Sequence, residues 1–159
     1  MKFSKLESKN SERIVNFFNS RFGVETDFFS EFVFLRNNEF IWLANKSLDE
    51  VISEDWNFRS AGLMLLLDQK EFKPSHYGML FLTSKIKQNF VELSPEQAEQ
   101  FFTGKSFPAE GISLANVLSE GFVAVKFQNQ VIGSVFYKSG KFTPNLPIKK
   151  RDSKIGIEL

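Results

Sequence analysis

The chain has 159 residues, twenty of them phenylalanine, with no cysteine, one histidine (His76) and a formal net charge of +1. Those counts exclude disulfides, thiolate metal sites, a cysteine nucleophile and any centre built from several histidines. No apolar run approaches the roughly 18 residues of a membrane helix, and the N-terminus MKFSKLESKNSER lacks a signal peptide's apolar centre, so a soluble, cytoplasmic protein (nucleolar if eukaryotic) with no membrane partner is expected.

Near-neutrality hides a charge gradient. Residues 121–154 hold seven Lys or Arg against one acid, Asp152, whereas residues 1–120 hold thirteen against seventeen. The basic C-terminal quarter reads either as a solvated strand face with a frayed tail or as a nucleic-acid footprint.

Residues 11–22, SERIVNFFNSRF, have helical spacing. Ile14, Phe18 and Phe22 share a face with Val15, Asn10 or Ser11 is placed to cap the start, and Gly23 suits a left-handed end. Residues 31–44 read as an aromatic-rich hairpin turning at Asn37-Asn38, because Asn tolerates positive φ. Ser47-Leu48-Asp49-Glu50 has a capping-box pattern that opens a short helix through Ile52 or Ser53. Trp56 to Gly62 reads as a loop, and Gly62 to Leu67 as a buried strand ending at Asp68. Pro74 suits the first turn of a helix reaching about Leu82. The short polar segment Lys85–Asn89 then reads as the hinge between two packed halves.

The second half opens with a strand, Phe90 to Leu93. Ser94-Pro95-Glu96-Gln97 is a helix start with a capping Ser, Pro at the first position and Gln closing a capping box, while Leu93 can staple to Ala98. That helix carries Phe101 and Phe102 and stops at Gly104. A turn-rich loop, Lys105 to Gly111, leads to the final strands. Val123, Val125 and Phe127 alternate with Ala124 and Lys126, as in a strand with one buried face. Gln128-Asn129-Gln130 is a turn, Val131 to Tyr137 the returning strand, and Ser139-Gly140 a second turn.

Catalytic patterns are missing. The nine glycines form neither a dinucleotide nor a P-loop motif. Asp49-Glu50 and Glu54-Asp55 read as solvated or capping carboxylates, and His76 beside Ser75 as a structural residue at a helix start. Trp42 and Trp56 read as core or hairpin aromatics. Binding chemistry remains. Lys138, Lys141, Lys149, Lys150 and Arg151 can neutralise phosphates, with Phe136, Tyr137 and Phe142 among them, a mixture that suits unpaired bases over a charged track. Phe136 and Phe142 are expected to face inward, and Tyr137 outward.

From about Phe90 to Arg151 the sequence resembles a PUA domain, the small β-barrel module of pseudouridine synthases and archaeosine transglycosylases. The carriers are Phe101-Phe102-Thr103-Gly104-Lys105, the loop through Pro108 to Gly111-Ile112, Gly121-Phe122-Val123-Ala124-Val125, and Ile132-Gly133. The resemblance implies that Lys105 and Gly111 face RNA beside the basic tail. Gly62-Leu63, Phe72-Lys73-Pro74-Ser75-His76, Leu80, Leu93-Ser94-Pro95-Glu96-Gln97-Ala98 and the spacing Phe142, Pro147, Arg151 are similar to the C-terminal PUA-like module of Sun/Fmu-type rRNA 5-methylcytosine methyltransferases. The likeness runs from Arg21-Phe22-Gly23 onward. Thr143-Pro144 departs from a Lys-Asn pair there, and Ile148 and Phe136 stand where lysines are usual, which thins the basic surface. Glu99 to Gly104 and Ile155-Gly156 resemble the Nip-type factor of ribosome assembly. Those methyltransferases use cysteines for covalent attack on the pyrimidine, so a cysteine-free chain is expected to be only the accessory part.

Together these features predict an α+β protein: an N-terminal α/β cap (1–86) packed on a C-terminal PUA-like mixed β-barrel (87–159). The expected role is non-catalytic and cofactor-free, binding rRNA or another structured, tRNA-like RNA in rRNA modification or ribosome biogenesis. Lys105, Gly111, Lys138, Lys141, Lys149, Lys150 and Arg151 would contact the RNA, and Asn145 a base or sugar. The alternative is a module docking on a separate methyltransferase or ribosome-assembly partner, through aromatics around Phe28-Phe29 or Trp42.

Overall fold

Apolar residues spaced three and four apart build the first layer. In the structure, a computed structural model that describes residues 2–51 and 60–147, helix α1 spans Ser8–Phe22 and buries Ile14, Phe18 and Phe22 to 1% exposure or less. Gly23 takes the left-handed position that ends it. The start lies upstream of expectation: Glu7 is the N-cap and makes no side-chain capping bond, so neither Asn10 nor Ser11 caps the helix.

The first sheet runs β1 (Ser4–Lys5), β2 (Phe32–Asn37), β3 (Phe40–Asn45), β4 (Leu63–Asp68), β5 (Phe72–Pro74) in spatial order, antiparallel throughout. The β2–β3 turn is Asn38-Glu39, one residue past the expected pair, with Asn38 at φ 54°. Alternation gives this sheet two buried faces. Phe34, Ile41, Leu43, Leu65 and Leu66 join α1 in the main core, while Val33, Leu35 and Ala44 pack with Phe3 and Trp42 on the other side. The predicted Ser47 capping box is a 3-10 turn, Lys46–Glu50, capped instead by the Asn45 side chain, which accepts from Ser47 N–H.

Pro74 also differs from expectation. It closes β5, an edge strand, where a missing N–H is tolerated, and Ser75 is the true cap of α2 (His76–Phe81), its hydroxyl accepting from Gly78 N–H at 2.8 Å. The segment after α2 is held on both sides. Lys87 and Gln88 donate backbone N–H groups to the Phe22 carbonyl. Asn89, fully buried at φ 56°, donates its amide to the Phe122 carbonyl and accepts from Leu118 N–H.

The second sheet is a curled half-barrel and is mixed. Its spatial order is β6 (Phe90–Glu92), β8 (Gly121–Phe127), β9 (Gln130–Lys138), β10 (Lys141–Pro144), β7 (Phe107–Pro108), with β6 and β8 parallel and the other pairs antiparallel. Helix α3 (Pro95–Phe102) begins with the capping box that its sequence predicts and sets Ala98 and Phe101 against Val123, Val125, Val135 and Phe142. Contrary to the one-sided pattern read in β8, Ala124 on the opposite face is also buried, within the main core. Both halves therefore share apolar contacts. Gly133 shows how closely: a Cβ there would lie 2.9 Å from Phe101 Cζ and 3.0 Å from His76 Nδ1, so only glycine lets α2 and α3 both pack on β9.

Candidate nucleic-acid interface

Two tight turns place the basic strand residues. Gln128-Asn129 and Ser139-Gly140 each have both residues at positive φ, as type I′ hairpins require. The second turn sets Lys138 directly opposite Lys141, and the β10–β7 pairing sets Lys141 opposite Pro108. Along β10, Phe142 and Pro144 are buried while Lys141 and Thr143 are exposed. The Ser106 hydroxyl lies 2.9 Å from that of Thr143, and Ala109 N–H donates to the Gly140 carbonyl. The Lys105–Gly111 loop therefore runs beside the hairpin, with Lys105 at one end and the Lys138–Lys141 pair at the other, roughly 10 Å apart at strand spacing.

Lys105, Lys138 and Lys141 are exposed and make no ion pair among the described residues. Lys126 differs: its ammonium sits 3.8 Å from the centroid of the Phe90 ring. Gly111 is exposed at φ 78°, with open space where a side chain would begin. Asn145 faces inward. It is 8% exposed, its amide donates to the Pro74 carbonyl at 2.7 Å and to Ser134 Oγ at 3.1 Å, and its backbone N–H donates to the Ser134 carbonyl. Lys149, Lys150 and Arg151 lie outside the described residues, as do Trp56, Glu54 and Asp55.

The aromatic orientations correct the sequence reading at one point. Phe142 is buried as expected, but Tyr137 stacks beside it at 5.1 Å and belongs to the second core. Phe136 therefore points to the opposite face, half-exposed, where it meets Phe122 at 5.1 Å. Lys73 joins this face: with Phe122, Phe136 and Thr143 it lines a cleft of about 280 Å³. Sequence reasoning misses Lys73 as a site residue because it starts a helix at Pro74 and assigns no strand to Phe72-Lys73, although the Phe72–His76 motif contains it.

Arg21 is a second residue that reading passed over. Its guanidinium donates to the Phe122, Ser119 and Glu120 carbonyls and to Ser119 Oγ, all between 2.7 and 3.0 Å. Burial lowers its pKa from the ordinary value, with the Glu71 charge acting the other way. Arg21 thus fixes α1 onto the start of β8. His76 is 5% exposed and packs against Gly133 and, at 5.6 Å, the Tyr77 ring. Among the described residues no group of three or more His, Cys, Asp or Glu is placed to hold a metal ion, and no helix is long and apolar enough to cross a membrane.

The aromatics around Phe28 and Trp42 do not form an open patch. Phe29 is buried, Phe28 contacts Phe29, Phe32 and Phe81, and Trp42 is half-buried against Phe3. Exposed apolar residues instead gather on α2, at Tyr77, Leu80 and Phe81.

Known proteins narrow the reading. The chain is 26% identical over 146 residues to ribosomal RNA small subunit methyltransferase F of Vibrio cholerae, covering 91% of this chain and 29% of that enzyme. The same enzyme of Vibrio parahaemolyticus is 26% identical, covering 91% of this chain and 30% of the relative. That of Vibrio atlanticus is 28% identical over 116 residues, covering 72% and 23%. The chain therefore spans under a third of the length of the curated relatives it matches. No protein-family model matches it. The similarity is to part of an rRNA methyltransferase.

Proposed function

We propose that this chain is a non-catalytic RNA-binding unit acting on rRNA, in rRNA modification or ribosome assembly, in the cytoplasm. One observation carries the reading: the β7–β10–β9 pairing brings the loop that holds Lys105 and Gly111 beside the exposed Lys138–Lys141 pair, and none of these three lysines is in an ion pair among the described residues. Similarity to an enzyme named for its action on small-subunit rRNA supports the choice of ligand. The second sheet is then a PUA-like unit, residues 87–159, with residues 1–86 as its packed cap. Phosphate contacts from the lysines would set register, with the basic tail Lys149, Lys150 and Arg151 adding to them. Asn145 serves this surface by tying β5 to β9, because its amide nitrogen is engaged inside the fold.

Filter binding to total rRNA across a salt series tests the proposal. Affinity should fall with salt. Changing Lys105, Lys138 and Lys141 together to Ala should flatten the log–log slope by about 2, at roughly 0.7 per phosphate contact on single-stranded RNA. Retention that ignores both salt and the triple change would sink the idea.

A second reading, docking to a separate methyltransferase, is favoured by the exposed Tyr77, Leu80 and Phe81 on α2. Under that reading, Phe81→Ser would abolish co-sedimentation with the methyltransferase and leave RNA retention intact.

A further inference from the structure

We infer that the outer face of the second sheet holds an unpaired RNA base, stacked on Phe136 and flanked by Lys73, Lys138 and Lys141. The inference rests on the RNA-binding reading and sharpens it to single-stranded RNA.

Directly opposed residues in a sheet share a face, and three successive rows cross this one. The middle row is Phe122, Phe136, Thr143, extended by the Ser106 hydroxyl. Toward the hairpin tip comes Lys138 with Lys141. In the other direction comes Ala124 with Ser134, both fully buried, where Asn145 bonds Ser134 and reaches across to the Pro74 carbonyl. That buried row puts β5 over the sheet as a wall, and Lys73 lines the cleft beneath it. An aromatic floor is thus bounded by an ammonium on the wall and two more at the open side.

Three features select an unpaired nucleotide. The Phe122 and Phe136 planes meet at 71°, an edge contact that leaves at least one face of the Phe136 ring uncovered by Phe122. A cleft of about 280 Å³ closed on one side admits a splayed base but not a stacked duplex. Lys138 and Lys141 are like charges directly opposite each other. The Glu120 carboxylate lies on the Lys138 side, bonded to Ser139 N–H, while the strand partners of Lys141 are Lys138 and Pro108, so a phosphate beside Lys141 relieves the repulsion. Phe122 also lines a second cleft of about 330 Å³, which holds Arg13, lying over the Phe72 ring, and Lys70. Glu71 and Glu120 line that second cleft, and the Glu120 carboxylate also accepts from Ser139 N–H at 2.7 Å, so the phosphate nearest the stacked base is assigned to Lys141 and Lys73, on the side away from β8.

A short single-stranded RNA carrying one 2-aminopurine, and its annealed duplex, test this by titration into the full chain. The single strand should bind in preference to the duplex, with a change in 2-aminopurine emission as the base stacks. Phe136→Ala and the volume-keeping Phe136→Leu should each weaken single-strand binding about tenfold, leave duplex binding unchanged, and abolish the emission change. Phe136→Trp should restore both, and thermal unfolding establishes that the variants are folded. Folded variants that bind the single strand as tightly as wild type, or that lose duplex and single strand equally, overturn the stacking site while leaving RNA binding in place. Wild-type protein that binds neither RNA overturns the RNA-binding reading and this inference with it.

Discussion

The two sheets are each five-stranded and rich in phenylalanine, yet they use those residues differently. In the first sheet both faces are covered: Phe34, Ile41 and Leu43 meet α1 on one side, and Val33, Leu35 and Ala44 meet Phe3 on the other. Two of its cations are matched as well, Lys5 paired to Asp49 and Arg36 to Asp68, whereas Lys73 on the edge strand β5 is in no ion pair among the described residues. In the second sheet only the α3 face is fully covered. Its other face is sealed as far as Ala124 and Ser134 and then opens on Phe136, Lys138 and Lys141; neither lysine is in an ion pair among the described residues, and the nearby Glu120 carboxylate is engaged by Ser139 N–H. A first sheet covered on both faces, with only its edge strand β5 turned to the cleft, lets its neighbour leave a cationic, aromatic face in water.

The largest expected effect compares two phenylalanines. Phe18 is fully buried among Phe17, Phe22 and Phe29, so Phe18→Ala should cost about 3–5 kcal/mol in urea unfolding. Phe136→Ala removes a half-exposed ring and should cost about 1 kcal/mol, near the centre of the distribution for single changes. Equal losses for the two would erase the distinction between the sheets.

That distinction was only partly legible in the sequence. Some local signals transferred, though the Ser47 capping box and the Asn10 or Ser11 cap did not. The Ser94–Gln97 capping box, Gly23 at the end of α1 and the Ser139-Gly140 turn need no distant partner, and the structure adds that the last of these sets Lys138 opposite Lys141. Features set by tertiary contacts did not transfer. Pro74 looks like a helix start until β4 pairs with Phe72–Pro74 and makes it an edge strand. Tyr137 has a polar tip suited to solvent, but Phe142 opposite it fixes its ring inward and sends Phe136 out. Lys73 reaches the cleft only because Asn145, seventy-one residues later, holds the Pro74 carbonyl. The residues of the candidate site closest in sequence were readable, and the wall that closes it was not.

Asn145 gives the intermediate effect, and it sharpens where structure ends and ligand contact begins. Asn145→Ala leaves the buried Pro74 carbonyl without its donor, which should cost about 1–3 kcal/mol in thermal or urea unfolding. RNA affinity should fall at the same time because the wall carrying Lys73 loosens, but the salt slope should hold, since no cation is removed. A changed slope at unchanged stability would instead make Asn145 a direct contact.

The smallest effect separates paired from unpaired charge. The Glu25–Lys87 pair is matched, and the Glu25 pKa is lowered first by its hydrogen bond from Lys87 and then by that residue's charge, so it favours folding above the unfolded carboxylate pKa and that contribution is lost as pH falls through the folded value. Lys138 and Lys141 are mismatched. Lys141 faces Lys138 on one side and Pro108 on the other, so Lys141→Gln relieves repulsion and should stabilise the protein by about 0.2–1 kcal/mol at low salt and by less as salt screens the pair. The same change should weaken RNA binding. Greater stability with weaker binding is the signature of a charge kept for its ligand, whereas a destabilised Lys141→Gln would mean that this lysine supports the hairpin itself.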